Sequence, residues 1–456
     1  MKKAQNLGKQ IVYKSGYSNF TFDLWIILHR IDSQYLWNFA RRCDKIGKAM
    51  HRFCADGGAE MQERIIDRVM FQEVKIGKAI FRVVDLAFIV CLFIFAFMIR
   101  WKLMPVESAD YWGFLKNWME QIRSEGGFPS LSHQISNYTS PYMYLMCLIS
   151  YITDNDLYGL KLLSVAFDYL GSIAMFLIVY KLCGNVRKAI LGMAALLLSP
   201  TVILDGAYWC QCDMIYTAFL LFALYFFLKD NGSYCLLFVG ISFAFKLQAV
   251  FLLPFLLIMW LKKRTVRLAD FLWIPVIYVL SALPAWAMGR SLKELLLIYF
   301  DQTNTYPWGT LEYPNIYALL GEAMPDMRHA GEVSGAGTFM TVMLLGCIAY
   351  YLYTREVNLT GDLMVTLSLF TVAITVYSLP HMHDRYGFLI DLLAIPYGML
   401  RGRRLPVTCG FMLVSLLTFM PYLIAVHIVP LTVLAIAQLG LIIYVGLDLY
   451  GLIHHG

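Results

Sequence analysis

The run His381-Met382-His383-Asp384-Arg385-Tyr386 sets two imidazoles, a carboxylate and a guanidinium between two apolar stretches, residues 363–377 and 388–397, that read as membrane spans. Ionisable groups at a membrane boundary carry a large desolvation cost and mark functional sites there. A guanidinium offers a phosphate two parallel N–H donors, so Arg385 is the natural anchor for a phosphate at the bilayer surface. The plainer alternative is an interfacial loop of snorkelling charges. Three further polar segments interrupt the apolar sequence. Glu107-Ser108-Ala109-Asp110-Tyr111-Trp112 begins a loop just past the first span, where the Asp110 carboxylate is able to take a proton from an acceptor hydroxyl. Tyr111, Trp112, Trp118, Tyr138 and Tyr142 in that loop either stack on sugar faces or form an ordinary aromatic belt. Trp209-Cys210-Gln211-Cys212-Asp213 offers a platform, an amide and a carboxylate, with helix capping by Asp213 as the bland reading. Phe245-Lys246-Leu247-Gln248 puts a lysine inside an otherwise apolar stretch, 234–261, where it must snorkel or neutralise a buried anion. The apolar runs on each side are short, so a half-helix break with Lys246 turned into a cavity is expected.

The elements that position these residues are membrane helices. Of 456 residues, 59% are hydrophobic and only 15% charged, with mean hydropathy +0.61, far from the soluble balance. Apolar runs of crossing length recur from about Val83 to Leu449, giving an all-α, polytopic membrane protein of about twelve spans with juxtamembrane helices on the outer side. Residues 1–82 are rich in Lys and Arg and lack a signal-peptide layout. Positive segments stay inside, which puts both termini, Arg187-Lys188, Lys262-Lys263-Arg264 and Arg401 to Arg404 in the cytoplasm of a cell-membrane protein. Asp110, 209–213, Lys246, 289–335 and 381–385 then lie outside. Parity forbids a full span at 141–151, which is read as a half-inserted or juxtamembrane helix. The chain accordingly divides into a basic segment, 1–82, and a membrane domain, 83–456, with outer loops at 104–142 and 289–335. Leu36, Phe39, Cys43, Ile46, Met50 and Phe53 recur at helical spacing among basic residues, the pattern of a helix lying on an anionic leaflet. The ten cysteines show no zinc spacing, and Cys210 and Cys212 are poorly spaced for a mutual disulfide. Asn137-Tyr138-Thr139 is a glycosylation acceptor tripeptide in an outer loop.

The Ser108–Trp112 loop, Ser199-Pro200 with Trp209-x-Gln211-x-Asp213, Phe245-Lys246-x-Gln248 and Met382-His383-Asp384-Arg385-Tyr386 together resemble the bacterial GPI-mannosyltransferase-like branch of the GT-C glycosyltransferases, over residues 100–397. Cys210 stands where that family commonly has Gly, and Asp384 where it has Glu, a shorter carboxylate. Residues 1–82 lie outside the likeness. The resemblance implies a polyprenyl-phosphate monosaccharide donor, carrying mannose or another hexose, used on the outer face with inversion at the anomeric carbon. The acceptor would be a glycan, a lipid or a protein hydroxyl; membrane lipids surround the chain and no nucleic-acid partner is expected. Because the leaving group is already a phosphate, cations to hold its charge suffice and no general acid is required. Asp110 is then the catalytic base, Arg385 and Lys246 the phosphate clamp, and His383 a secondary phosphate donor. Gln248, Gln211, Asp213, Trp209 and Tyr111 are assigned to substrate contacts. The 289–335 loop, with Tyr306, Trp308, Tyr313 and Tyr317, would cover the site.

A divalent cation between Asp110 and Asp213 is conceivable, but Arg and Lys are at hand for the phosphate, and no cofactor is expected. Asp168, in mid-span, needs a partner, either Lys161 across a bent helix or a polar group on another helix. The alternative class is a transporter or flippase of a polyprenyl-linked or anionic substrate. It would call for internal repeats and polar residues on both faces, whereas here the polar constellation keeps to one side.

Overall fold

The computed structural model describes residues 66–303, 308–323 and 330–455. The basic amphipathic segment at 36–53 and Tyr306 lie outside the described residues. The chain divides after Leu86 into two units, a division that falls inside the first long helix rather than at residue 83. What is described of the first unit is mainly a hairpin, β1 (Glu73–Ile76) antiparallel to β2 (Ala79–Arg82), with Glu73 opposite Arg82. Its turn uses Gly77 at φ +60°, a left-handed conformation that glycine adopts without steric cost.

The second unit is all but entirely helical. Among the described residues seven helices are long and apolar enough to cross a bilayer, or eight if the bent pair Val186–Leu197 and Pro200–Tyr208 is one span. This is the build of a polytopic membrane protein. The first, α1 (Val83–Leu103), has 21 residues and is therefore about 32 Å long, enough for a hydrocarbon core about 30 Å thick. The next helices are α2 (Lys116–Ser124), α3 (Ser140–Ile152), α4 (Asp156–Cys183), α5 (Val186–Leu197), α6 (Asp213–Leu228), α7 (Gly232–Phe245) and α8 (Leu253–Lys263). They are followed by α9 (Trp273–Ala287), α10 (Leu292–Thr303), α11 (Ala330–Thr354), α12 (Gly361–Ser378), α13 (Phe388–Leu400), α14 (Leu405–Ile424) and α15 (Leu431–His455). The half-inserted helix expected at 141–151 corresponds to α3, which is apolar but has only 13 residues. The stretch at 388–397, expected to span, folds as α13, also 13 residues, about 20 Å. The gap between seven or eight crossing helices and the twelve expected lies in short apolar helices such as α6, α7 and α13.

Burial separates centre from periphery. In α12, 78% of the apolar window is buried within the protein, against 17% in α1. Val90, Ile94, Phe95 and Met98 of α1 are exposed, as a lipid-facing helix requires. Around the centre, α4 packs on α5 and α6, α6 on α7, and α12 on α13 and α15. Helix starts are set by polar caps: Asn155, Asn185, Asn231 and Thr360 each accept an N–H from three residues on.

Charges within the bundle are paired. Asp168 of α4 accepts from Arg100 Nε of α1 at 2.7 Å, both side chains fully buried. Lys161, the other partner considered for Asp168, instead donates to the carbonyls of Leu103, Met104 and Val106 at 3.1, 3.3 and 2.6 Å. It therefore ties down the end of α1. Asp362, at the start of α12, meets Arg401 at 2.8 Å and Arg404 in a shorter contact, while the other end of α12 leads into 381–386. Eighteen helical residues, about 27 Å, separate the basic cluster from that polar run, close to the thickness of a bilayer core.

Removing one member of the Arg100–Asp168 pair leaves a buried charge alone, at a cost of about 3–5 kcal/mol. Asp168→Ala and Arg100→Met should each lower the unfolding midpoint of the detergent-solubilised full chain sharply. The double variant should recover most of the loss, and additive losses would show that the two side chains do not act as a pair.

Candidate active site

Four chain segments converge on one cavity of about 370 Å³. Asp110 stands at the start of a π-helical turn, Tyr111–Leu115, which leads into α2. Its segment is held by Ser108, whose hydroxyl donates to the Trp209 carbonyl at 2.5 Å and accepts the Tyr111 N–H at 3.1 Å. One serine thus locks the Asp110 loop to the Trp209 loop.

The second segment follows a π-helical turn, Leu204–Tyr208. Gly206 packs so closely that an added Cβ would lie 3.1 Å from the Ser164 Cβ. Ser164 donates to the Gln211 carbonyl at 2.7 Å, and the Gln211 N–H reaches the Asp205 carbonyl at 2.9 Å. Between Trp209 and Gln211, Cys210 adopts φ +68°. This left-handed geometry is the one glycine adopts at no steric cost, and here a cysteine holds it.

At Lys246 helix α7 stops. The residue is extended (φ −154°, ψ 138°) and a 3-10 turn, Leu247–Leu252, carries the chain into α8, so the expected half-helix break is present. The fourth segment begins at His381, φ +62°, whose N–H donates to the Gly309 carbonyl at 3.0 Å. A two-residue strand β4 (Met382–His383) then runs parallel to β3 (Thr310–Leu311), and Asp384–Gly387 form a 3-10 turn at the head of α13.

Asp110, Trp209, Gln211, Lys246, Gln248, His383 and Arg385 all line the cavity. Gln211 Nε2 donates to the Asp110 carboxylate. Asp213 does not line the cavity: it is buried beside it, one oxygen taken by Lys246 Nζ and the other by Arg385 Nη1 at 3.0 Å. The substrate contact expected of Asp213 is therefore corrected to a positioning role, since both of its oxygens are occupied by the cations it orients. The same engagement leaves it ill placed to share a metal ion with Asp110. Tyr111 is likewise corrected. It is buried in an apolar cluster with Leu115, Met119 and Met146 rather than set on the wall. Trp118, Tyr138 and Tyr142, from the same loop, do line the cavity, with the Tyr138 and Tyr142 rings 4.9 Å apart.

The 289–335 segment contributes Gln302 and Leu311 to the lining. Tyr313 and Tyr317 are buried away from it, and Trp308 is exposed. Asp384, Phe245 and Tyr422 were not assigned from the sequence. Asp384 had a signal, being next to Arg385, but Tyr422 sits in the apolar run of α14 and had none. The Arg385 guanidinium lies 4.9 Å over the Trp209 ring, a cation–π contact that steadies it.

Electrostatics divide the cavity. On one side the Lys246 and Arg385 cations share the Asp213 carboxylate, and the Arg385 guanidinium also faces the Asp384 carboxyl, Nε to Oδ2 at 3.9 Å. Burial pulls the Lys246 pKa down, but Asp213 outweighs it and the ammonium is held well above its ordinary value. Burial, with Arg385 and Lys246 beside it, pushes His383 down to about 4. The imidazole is therefore neutral at pH 7. Burial raises Asp384 to about 7 although Arg385 opposes it, and Asp384 Oδ2 has no hydrogen-bond partner among the described residues.

No known protein-family model matches the chain, and no curated protein matches it.

Because the Asp384 pKa is raised, the carboxyl is neutral below about pH 7 and negative above it. Ionisation places a second anion beside Arg385, so phosphate affinity should fall as pH rises through 7. Titrating a dialkyl phosphodiester, whose single charge is constant from pH 6 to 8, against the purified chain should show this loss, and Asp384→Asn should flatten it. An equal decline in that variant would assign the effect to another group.

Proposed function

We propose that the protein is an inverting glycosyltransferase that moves a hexose from a polyprenyl-phosphate carrier to a hydroxyl acceptor at the outer face of the cell membrane. The observation that carries this reading is a single cavity lined at once by a carboxylate, Asp110, a lysine–arginine pair, Lys246 and Arg385, and aromatic walls. The resemblance of its segments to the GT-C glycosyltransferases supports the same reading and supplies the lipid-linked donor used on the outer face.

The chemistry asks for two things. An incoming hydroxyl must lose a proton as it attacks the anomeric carbon, and the departing phosphate must be held as its charge develops. Asp110 takes the proton, its carboxylate oriented by Gln211. Arg385 and Lys246 hold the phosphate, with His383 as a neutral N–H donor and Asp213 fixing both cations. The proton moves to Asp110, the bond from the anomeric carbon to the phosphate oxygen breaks, and the new glycosidic bond forms on the opposite face. Trp118 and Tyr138 supply faces for the sugar, and Gln248 a polar contact. No step calls for a metal or other cofactor.

Purified protein should transfer sugar from at least one member of a panel of polyprenyl-phosphate hexoses. Asp110→Asn keeps shape but cannot accept the proton, so transfer should fall by about 10²–10⁴-fold with carrier binding retained. Transfer near the wild-type rate would remove Asp110 as the base.

Orientation is checked independently by labelling. A cysteine introduced at exposed Asn137 should react with an impermeant reagent on intact cells, and one at Arg403, 64% exposed, only after lysis. The reverse pattern would place the cavity in the cytoplasm and point to a nucleotide-sugar donor instead.

A further inference from the structure

At the end of the bundle opposite the candidate active site, a second cavity of about 400 Å³ lies between the Arg401–Arg404 turn and the last three turns of α15. At its centre of charge is Arg404, fully buried, pairing with Asp362 on one side and with Asp448 at 2.7 Å on the other, its guanidinium 4.4 Å over the Tyr397 ring. Arg401 holds Asp362 from outside at 2.8 Å, and Arg403 holds Asp448 at 3.1 Å. Three guanidinia thus face two carboxylates, and one positive charge is left over. The two outer arginines are the exposed ones, 43% and 64%, and both line the cavity.

Apart from Asp448, the opposite wall is apolar. Tyr444, Leu447 and Gly451 follow each other at three- and four-residue intervals down one face of α15, with Leu452 next to Gly451. Leu447 is 67% exposed, and a Cβ added at Gly451 would meet nothing within 4 Å, so the groove stays open along the helix. Tyr444 lies nearer the middle of the span, and Leu452 nearer the arginines' end of the bundle. A soluble anion has no use for this stripe. A lipid with a charged head and an acyl chain uses both halves.

We infer that this groove binds the headgroup of a phospholipid carrying a singly charged phosphodiester, with Arg401 and Arg403 on the phosphate and an acyl chain along Tyr444 and Leu447. The site is separate from the candidate active site and does not depend on the glycosyltransferase reading. It provides a fixed place for an anionic lipid at the membrane boundary.

The test uses the full chain in mild detergent, following its unfolding midpoint on adding dioleoyl phosphatidylglycerol, dioleoyl phosphatidylcholine or inorganic phosphate. Phosphatidylglycerol should raise the midpoint saturably, since a ligand that binds only the folded state stabilises it by mass action. Arg403→Gln should weaken apparent affinity roughly fivefold, the worth of one basic residue against an anionic lipid. Gly451→Leu, which fills the groove and leaves every charge in place, should abolish the response while the lipid-free midpoint stays near wild type. An equal response to phosphatidylcholine would make the effect nonspecific, and an equal response to inorganic phosphate would make the site a free-anion site. Either result overturns the proposal, as does an unchanged response in Gly451→Leu.

Discussion

Everything at the candidate site depends on the carboxylate of Asp213. It stands at the first residue of α6, where a negative charge also favours the helix dipole. Its two oxygens take two cations from separate parts of the chain, Lys246 at the break after α7 and Arg385 in the turn before α13. Two positive charges pressed together in a poorly solvated cavity would repel strongly. A shared carboxylate converts that repulsion into a fixed geometry. The arrangement therefore assembles three distant segments at one point.

The scaffold around this triad is stiff for equally local reasons. Ser108 and Ser164 each tie a loop carbonyl to a neighbouring element, and Gly206 lets the 204–208 turn come into contact with α4. Lys161 gathers three carbonyls at the end of α1 and so fixes where the Asp110 loop begins. Deeper in, Arg100 and Asp168 join α1 to α4. None of these charged groups works alone, as expected where water is scarce.

Much of this was legible in the sequence, and the parts that were not share a cause. Charge in an apolar setting is conspicuous, so Asp110, Lys246, His383 and Arg385 stood out and do share one cavity. The break at Lys246 was readable because the apolar runs flanking it are short. The roles of Asp213 and Tyr111 were not, because residue type cannot tell a side chain that faces a cavity from one that packs behind it. Asp213 was spent on its two cations, and Tyr111 turned into a core that its neighbour Trp112 avoids. Tyr422 was invisible for the opposite reason, one aromatic ring among many in an apolar helix. Span number proved hard to read because short helices such as α6, α7 and α13 are as apolar as longer ones. The hairpin at 73–82 carried a signal, the alternating Glu73-Val74-Lys75-Ile76 before a turn at Gly77, but one only four residues long.

The backward bend at Cys210 also bears on redox chemistry. Cys210 and its near neighbour Cys212 are both buried, and burial pushes their thiols up to about 12 and about 11. Only the thiolate attacks a disulfide or an oxidant, and at neutral pH almost none is present. Two sulfhydryls can therefore sit beside the candidate site, even in an oxidising compartment, without being drawn into exchange. The bend that carries Gln211 to Asp110 thus also keeps both thiols chemically quiet.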